Sequence, residues 1–223
     1  MIAAFFDVEG TLYTGQMWRG LVDYARAHGQ RVAVAQYYAA VTVMYALRKA
    51  KLASEESMRR LAIARLGLLL KGWTVDEAEA AFDWIVRVQL LPTARRNVMD
   101  RLQTHLAQGH AVFLVSGMPN PCLERVGRAV GATGAIGTAF ALRDGRYTGG
   151  IVPPVMVGAA KREQTFMYAQ QHGFDIDWPT SYAYADSIHD RAMLEMVGHP
   201  VAVYPDPQLL ELAHKQQWSV ITE

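Results

Sequence analysis

Cysteine is almost absent. Cys122 is the one thiol in 223 residues, which rules out an internal disulfide and fits a reducing compartment. The N-terminus lacks the basic segment, apolar run and cleavage site of a signal peptide, so the expected location is the cytoplasm. An excess of charge of one sign is lacking too: the net charge is +1, with acids and bases mixed along the chain. That balance argues against a protein built to grip nucleic acid. Residues 32–47 carry no charge, but this stretch of 16 residues falls short of the roughly 20 that a membrane-spanning helix needs. Gln36, Thr42 and three tyrosines interrupt it, so a buried helix in a small bundle is expected rather than membrane contact. Proline is missing from Gln16 to Leu91, which leaves that whole region free to be helical.

Apolar residues make up 51% of the chain and charged ones 19%, enough to bury a core. A short apolar strand, residues 2–6, ends abruptly at Asp7-Val8-Glu9-Gly10-Thr11. Helical spacing then predicts four helices near 16–29, 33–51, 55–70 and 75–90, the last opened by the capping box Thr74-x-x-Glu77. Beyond Pro92 strands and helices alternate. Helices are predicted near 93–108, 121–131, 159–172, from 190, and 207–216. Strands are predicted at 111–115, 182–185, 201–204 and 219–221, and a hairpin at 140–143 and 146–148 turns on Asp144-Gly145. This order predicts an α/β fold with a doubly wound, mostly parallel sheet and an inserted helical cap. The expected domains are a core of residues 1–14 and 93–223 and a cap of residues 15–92.

Ligands of an open parallel sheet bind beyond the carboxyl ends of its strands. Three predicted strands end in polar residues, Asp7, Ser116 and Asp186, and Lys161 opens the helix before the third. Two carboxylates, a hydroxyl and a lysine on one rim suit phosphoryl transfer. Carboxylates can hold Mg²⁺ and one can attack phosphorus, while Ser, Lys and backbone N–H groups bind phosphoryl oxygens.

With these residues in order, the chain resembles the haloacid dehalogenase superfamily of phosphatases. The matching segments are Asp7-Val8-Glu9-Gly10-Thr11-Leu12, Ser116-Gly117, Lys161 and Asp186-Ser187-Ile188-His189-Asp190. The later part of the chain is similar to subfamily IB, the phosphoserine-phosphatase-like branch, which also carries a helical cap after its first motif. The resemblance implies that Asp7 attacks phosphorus and binds Mg²⁺. It implies that Glu9 protonates the leaving alcohol and then activates water, while its backbone carbonyl contacts the metal. Ser116, Lys161 and the Gly117 N–H would hold the phosphoryl oxygens. Asp186 would be the second metal carboxylate, and Asp190 would orient Lys161 or a metal-bound water.

Glu9 departs from the aspartate that most members carry there, and its side chain is one methylene longer. The function expected is Mg²⁺-dependent hydrolysis of a small phosphate monoester through an aspartyl-phosphate. The alternatives are a phosphotransferase using the same intermediate and a catalytically weak phosphate-binding protein. His189 is expected to face solvent from a loop, and Cys122 to pack. Of the tryptophans in the helical region, Trp18 alone falls near the mouth. The stretch Tyr13-Thr14-Gly15-Gln16-Met17-Trp18 holds no acid to receive an ammonium group, so phosphoserine is expected to be a poor substrate and an uncharged alcohol part a better one.

Overall fold

A computed structural model describes residues 1–222; Glu223, the last residue of the expected core segment, lies outside the described residues. The first strand, β1 (Ala3–Phe6), is buried along its whole length, as a strand covered on both faces must be. A helical insertion follows, made of α1 (Met17–Ala27), α2 (Arg31–Lys49), α3 (Glu55–Arg65), α4 (Gly67–Leu70) and α5 (Val75–Ile85). Strand and helix then alternate: α6 (Arg96–Ala107), β2 (Ala111–Pro119), α7 (Asn120–Val130), β3 (Gly134–Arg143), β4 (Arg146–Val152), α8 (Ala159–Gln171), β5 (Tyr182–Ala185), α9 (Arg191–Leu194), β6 (His199–Val203), α10 (Pro207–Gln216) and β7 (Ser219–Ile221). The sheet order is β4-β3-β2-β1-β5-β6-β7, and every pairing is parallel except β3 with β4. The winding reverses at β1, so a crevice opens beyond the carboxyl ends of β1, β2 and β5. The fold class is the one expected.

Several details differ from expectation. Strand β2 continues past Val115 through Ser116 and Gly117, and its register against β3 shifts between Val115 and Pro119. Strand β3 starts at Gly134, well before the hairpin, because its first half pairs with β2; its Gly- and Ala-rich composition concealed that half. The turn itself is as read, with Asp144 at φ 51° and Gly145 at φ 72°, the paired positive values of a type I′ hairpin. The helix expected over 55–70 breaks at Leu66. Gly67 lies against strand β4, where a Cβ would come within 2.5 Å of the Gly149 carbonyl oxygen. Helix α5 ends early and passes into a π turn, Val86–Leu90.

The expected burial of residues 32–47 is corrected. Only Val34 and Tyr37 of α2 are buried, while Val32 is 72% and Val43 61% exposed. The helix touches its neighbours along a narrow stripe, and its apolar side chains continue around the outer face, where nothing covers them. Among the described residues no helix is long and apolar enough to cross a membrane.

Two cores flank the sheet. One gathers Phe5, Phe113, Val115, Ala183, Leu194 and Leu209. The other joins Phe6, Val8 and Leu114 of the sheet side to Leu21, Leu69 and Phe82 of the insertion. The insertion therefore shares its core with the sheet. Cys122 is fully buried in this seam, and burial pushes its thiol up, so it is a packing residue as expected. The capping box at Thr74 and Glu77 is present in both halves. The two chain segments that connect the insertion pair with each other, Tyr13 bridging to Ala94 and the Thr14 N–H donating to the Thr93 carbonyl at 3.0 Å.

Candidate active site

Strand β1 delivers Asp7 to the rim as its first residue beyond the strand, and the Asp7 N–H still donates to the Tyr184 carbonyl of β5 at 2.9 Å. Strand β5 delivers Asp186 in the same way. The chain between Asp7 and Thr11 turns back sharply, with the Leu12 and Tyr13 N–H groups both donating to the Val8 carbonyl. That turn depends on Gly10, which has φ 91°, and a Cβ there would meet Asp186 Oδ2 at 2.2 Å. Glycine is required twice over, by the left-handed backbone and by the approach of the carboxylate.

Lys161 reaches the rim from the first turn of α8. It is 5% exposed, and its Nζ lies 2.7 Å from Asp7 Oδ1 and 2.5 Å from Asp190 Oδ1. Burial opposes its charge, but the Asp190 and Asp7 carboxylates outweigh this and raise its pKa. Asp186, Asp190 and Asp7 each offer an oxygen, and these atoms all lie within 4.8 Å of one another. Burial first, then the charges of Asp7 and Asp190, lifts the Asp186 pKa to about 7. Burial also raises Asp190, against the pull of Lys161. Three crowded carboxylates facing one lysine carry an excess of negative charge that a divalent cation would neutralise, so the donor set fits a hard, oxygen-liganded metal.

Ser116 is buried, with Oγ accepting from the Met118 N–H at 3.4 Å. Asp7, Glu9, Ser116, Gly117, Lys161, Asp186 and Asp190 all line one cavity of about 350 Å³. The seven residues assigned to the site in the sequence are thus brought to the same place.

Glu9 has a second attachment. Its Oε1 accepts from the Met17 N–H at 2.6 Å, the first residue of α1. Gln16, the preceding cap position, gives that helix no side-chain cap, and its first turn holds no acid. The extra methylene of glutamate therefore serves a helix N-terminus. Burial raises its pKa to about 7; the Met17 N–H pulls the other way, and Asp7 adds to the rise.

Four contributors to the site were missed. Thr11 donates its hydroxyl to Asp186 Oδ1 at 3.1 Å and lies 3.4 Å from Asp7 Oδ2, tying the two carboxylates together. Asp206 accepts from the N–H groups of Ile188 and Leu209, both at 2.8 Å, and so anchors the loop after β5. Burial opposes its charge, but those N–H bonds hold its carboxyl below the usual range. An aspartate directly before Pro207 is an N-cap signature that the sequence displays. From the insertion, Arg59 and Ile63 of α3 line the cavity, and no local pattern marks them. Trp18 lines it as expected. His189 does not face open solvent: its side chain is 18% exposed, and Nε2 lies 3.4 Å from Glu55 Oε1 of α3. The insertion covers the loop that carries it.

Comparison with known proteins bears on the family and the fold. The family model described as haloacid dehalogenase-like hydrolase matches residues 4–195. Phosphoserine phosphatase SerB1 of Mycobacterium tuberculosis is 31% identical over 98% of this chain and 70% of its own length. A protein of unknown function from Bordetella pertussis Tohama I has a solved structure with TM-score 0.82 and 26% identity, covering 100% of this chain and 99% of that one. A substrate-bound phosphoserine phosphatase complex shares the fold, with TM-score 0.66 at 19% identity over 100% of this chain and 93% of that one.

Proposed function

The chain belongs to the haloacid dehalogenase-like hydrolase family, and on that premise we propose that it is a Mg²⁺-dependent phosphatase that hydrolyses a small phosphate monoester through an aspartyl-phosphate on Asp7. The observation that carries this reading is the cluster of buried Asp7 and Asp190 with half-buried Asp186 around Lys161 in a single cavity.

Asp7 Oδ attacks phosphorus, and the bond from phosphorus to the leaving oxygen breaks. Lys161, Ser116 and the Gly117 N–H bind the phosphoryl oxygens, where negative charge concentrates. Glu9 gives its proton to the leaving oxygen. A pKa near 7 suits a group that must donate a proton in one step and accept one in the next. Glu9 then takes a proton from water, which attacks phosphorus and releases phosphate, restoring Asp7. Asp7, Asp186 and the Glu9 backbone carbonyl would hold the metal, while Asp190 positions Lys161. Bound Mg²⁺ would supply charge neutralisation, letting one carboxylate approach an anionic phosphate.

Residues 15–92 would act as a cap over a core of 1–14 and 93–223. The pairing of Tyr13 with Ala94 where the two connecting segments run side by side supports those limits. The test is hydrolysis of p-nitrophenyl phosphate by the full chain and by Asp7→Asn, each with Mg²⁺ and with EDTA. The wild type should turn over only with the metal, and the variant should keep less than about 1% of that rate, because an amide does not attack phosphorus. A variant close to wild type would overturn the mechanism.

A further inference from the structure

Beside the reactive cavity lies a second chamber of about 240 Å³. Its walls come from three helices of the insertion: Met17 and Trp18 of α1, Tyr37 and Val41 of α2, and Ile63 of α3, with Leu66 just beyond. The two spaces meet at Glu9, Gly117, Trp18, Ala62 and Ile63, which line both. They differ in chemistry. The reactive cavity is lined by four carboxylates, Lys161 and Arg59, whereas Glu9 is the one acidic or basic side chain that lines the chamber. Burial raises the Tyr37 hydroxyl to about 12, so it stays neutral.

Gly117 keeps the passage open. A Cβ on it would meet Ile63 Cδ1 at 2.6 Å, so any larger residue would push against the chamber wall. The reaction geometry then decides what enters. The leaving oxygen must stand beside the group that protonates it, and the carbon it carries must project from that point. If Glu9 is that group, the space next to it is the chamber.

We propose that this chamber binds the alcohol part of the substrate, and that this part is uncharged and apolar, either one aromatic ring or a short branched chain. The proposal rests on the roles given above to Asp7 and Glu9. The size follows from volume, because a cavity of roughly 150 Å³ lined by apolar side chains takes up benzene, so this one holds a ring with a few more carbons. The exclusion of an ammonium group follows from charge. Glu9 is needed for proton transfer, and Glu55, the acid of α3 nearest the site's His189, is already engaged by Arg48 at 2.9 Å, Arg59 at 3.4 Å and His189 at 3.4 Å. An amino alcohol would enter with its charge unpaired.

The experiment measures kcat/KM, with Mg²⁺, for methyl, n-propyl, n-pentyl and benzyl phosphate and for phosphoserine. Each buried methylene should raise kcat/KM by about fourfold until the chamber is full. Benzyl phosphate should rank at or near the top, and phosphoserine at least about tenfold below n-propyl phosphate. Val41→Trp and Leu66→Phe fill the chamber from α2 and from the end of α3, at positions that do not line the reactive cavity. Either should cut benzyl phosphate turnover by about tenfold or more while methyl phosphate changes by less than about twofold. A flat profile, phosphoserine ranking first, or filling variants that leave benzyl phosphate untouched would overturn the chamber assignment. If methyl phosphate turnover still vanishes in Asp7→Asn, the phosphatase reading survives that failure; if no ester is turned over through Asp7, both readings fall. Should both filling variants misfold, the chain-length profile of the unmodified protein decides the matter.

Discussion

The sheet rim and the helical insertion meet at one cavity but build their sides of it by different means. On the rim, Asp7 and Asp186 stand at strand ends fixed by parallel register, only 5% of each of Asp7, Lys161 and Asp190 reaches solvent, and Lys161 pairs with two carboxylates. The insertion contributes mostly apolar walls from Trp18, Tyr37, Ile63 and Leu66, with Arg59 as its one cation at the mouth. Its second helix leaves most of its surface uncovered. In the proposed mechanism the chemistry sits on strand ends fixed by register, and the proposed shape selection sits on helices of the insertion. Glu9 belongs to both, with its carboxylate in the cavity and one oxygen on the first N–H of α1.

The comparison can be broken at its strongest point first. Glu9→Gln should lower kcat by about 10²–10⁴ while leaving Mg²⁺ affinity, read by titrating activity or Tm, nearly unchanged, since the metal contact assigned to Glu9 is through its backbone. An equal loss of metal affinity would place the side chain, not the backbone, on the cation. Lys161→Met removes the cation that pairs with the buried carboxylates Asp7 and Asp190 beside half-buried Asp186. Removing one partner of a buried ion pair costs about 3–5 kcal/mol, so Tm should fall sharply in EDTA and recover in part with Mg²⁺. A fall that Mg²⁺ does not relieve would argue against metal binding at this cluster.

Gly117→Ala tests the junction of the two regions. The new Cβ presses on the end of the Ile63 side chain, which can move, so the fold should survive. Turnover of bulky esters should drop several-fold and return when Ile63→Ala is added. Failure of the second change to restore it would mean that the clash is felt on the rim instead.

The smallest effect concerns the sheet away from the site. His105 is buried, with Nε2 at 2.8 Å from the Tyr184 hydroxyl and Nδ1 at 2.9 Å from His110. Burial, with the nearby charges of His110 and Arg101, lowers its pKa to about 4. Between pH 6.5 and 4 the unfolded chain binds this proton and the folded chain does not, so stability is full above about 6.5 and declines as pH falls. Tm should drop over that window, with a shallower slope in His105→Gln. Equal slopes would remove His105 as the cause.

The outline of the rim was readable because its signals are local. A short apolar strand ending in an acid, a Gly where the chain must double back, and alternating periods of 2 and 3.6 are written in consecutive residues. All seven residues read from these motifs come together in one cavity. Thr11 stood inside a motif and was overlooked because a threonine in a turn has many uses. The first half of β3 was missed because its Gly and Ala residues pair with β2 by position rather than propensity.

The sequence by itself determined the sheet type, the place of the helical insertion and the identity of the charged groups, since period, turn chemistry and residue type depend on neighbours along the chain. Only the tertiary structure decided which face of α2 is buried, that Glu9 caps α1, that His189 meets Glu55, and that Trp18, Tyr37 and Ile63 enclose an apolar chamber. Apolar side chains on a helix state that they can be buried, not against what. The answer comes from the packing of helices distant in sequence, and no local pattern encodes it.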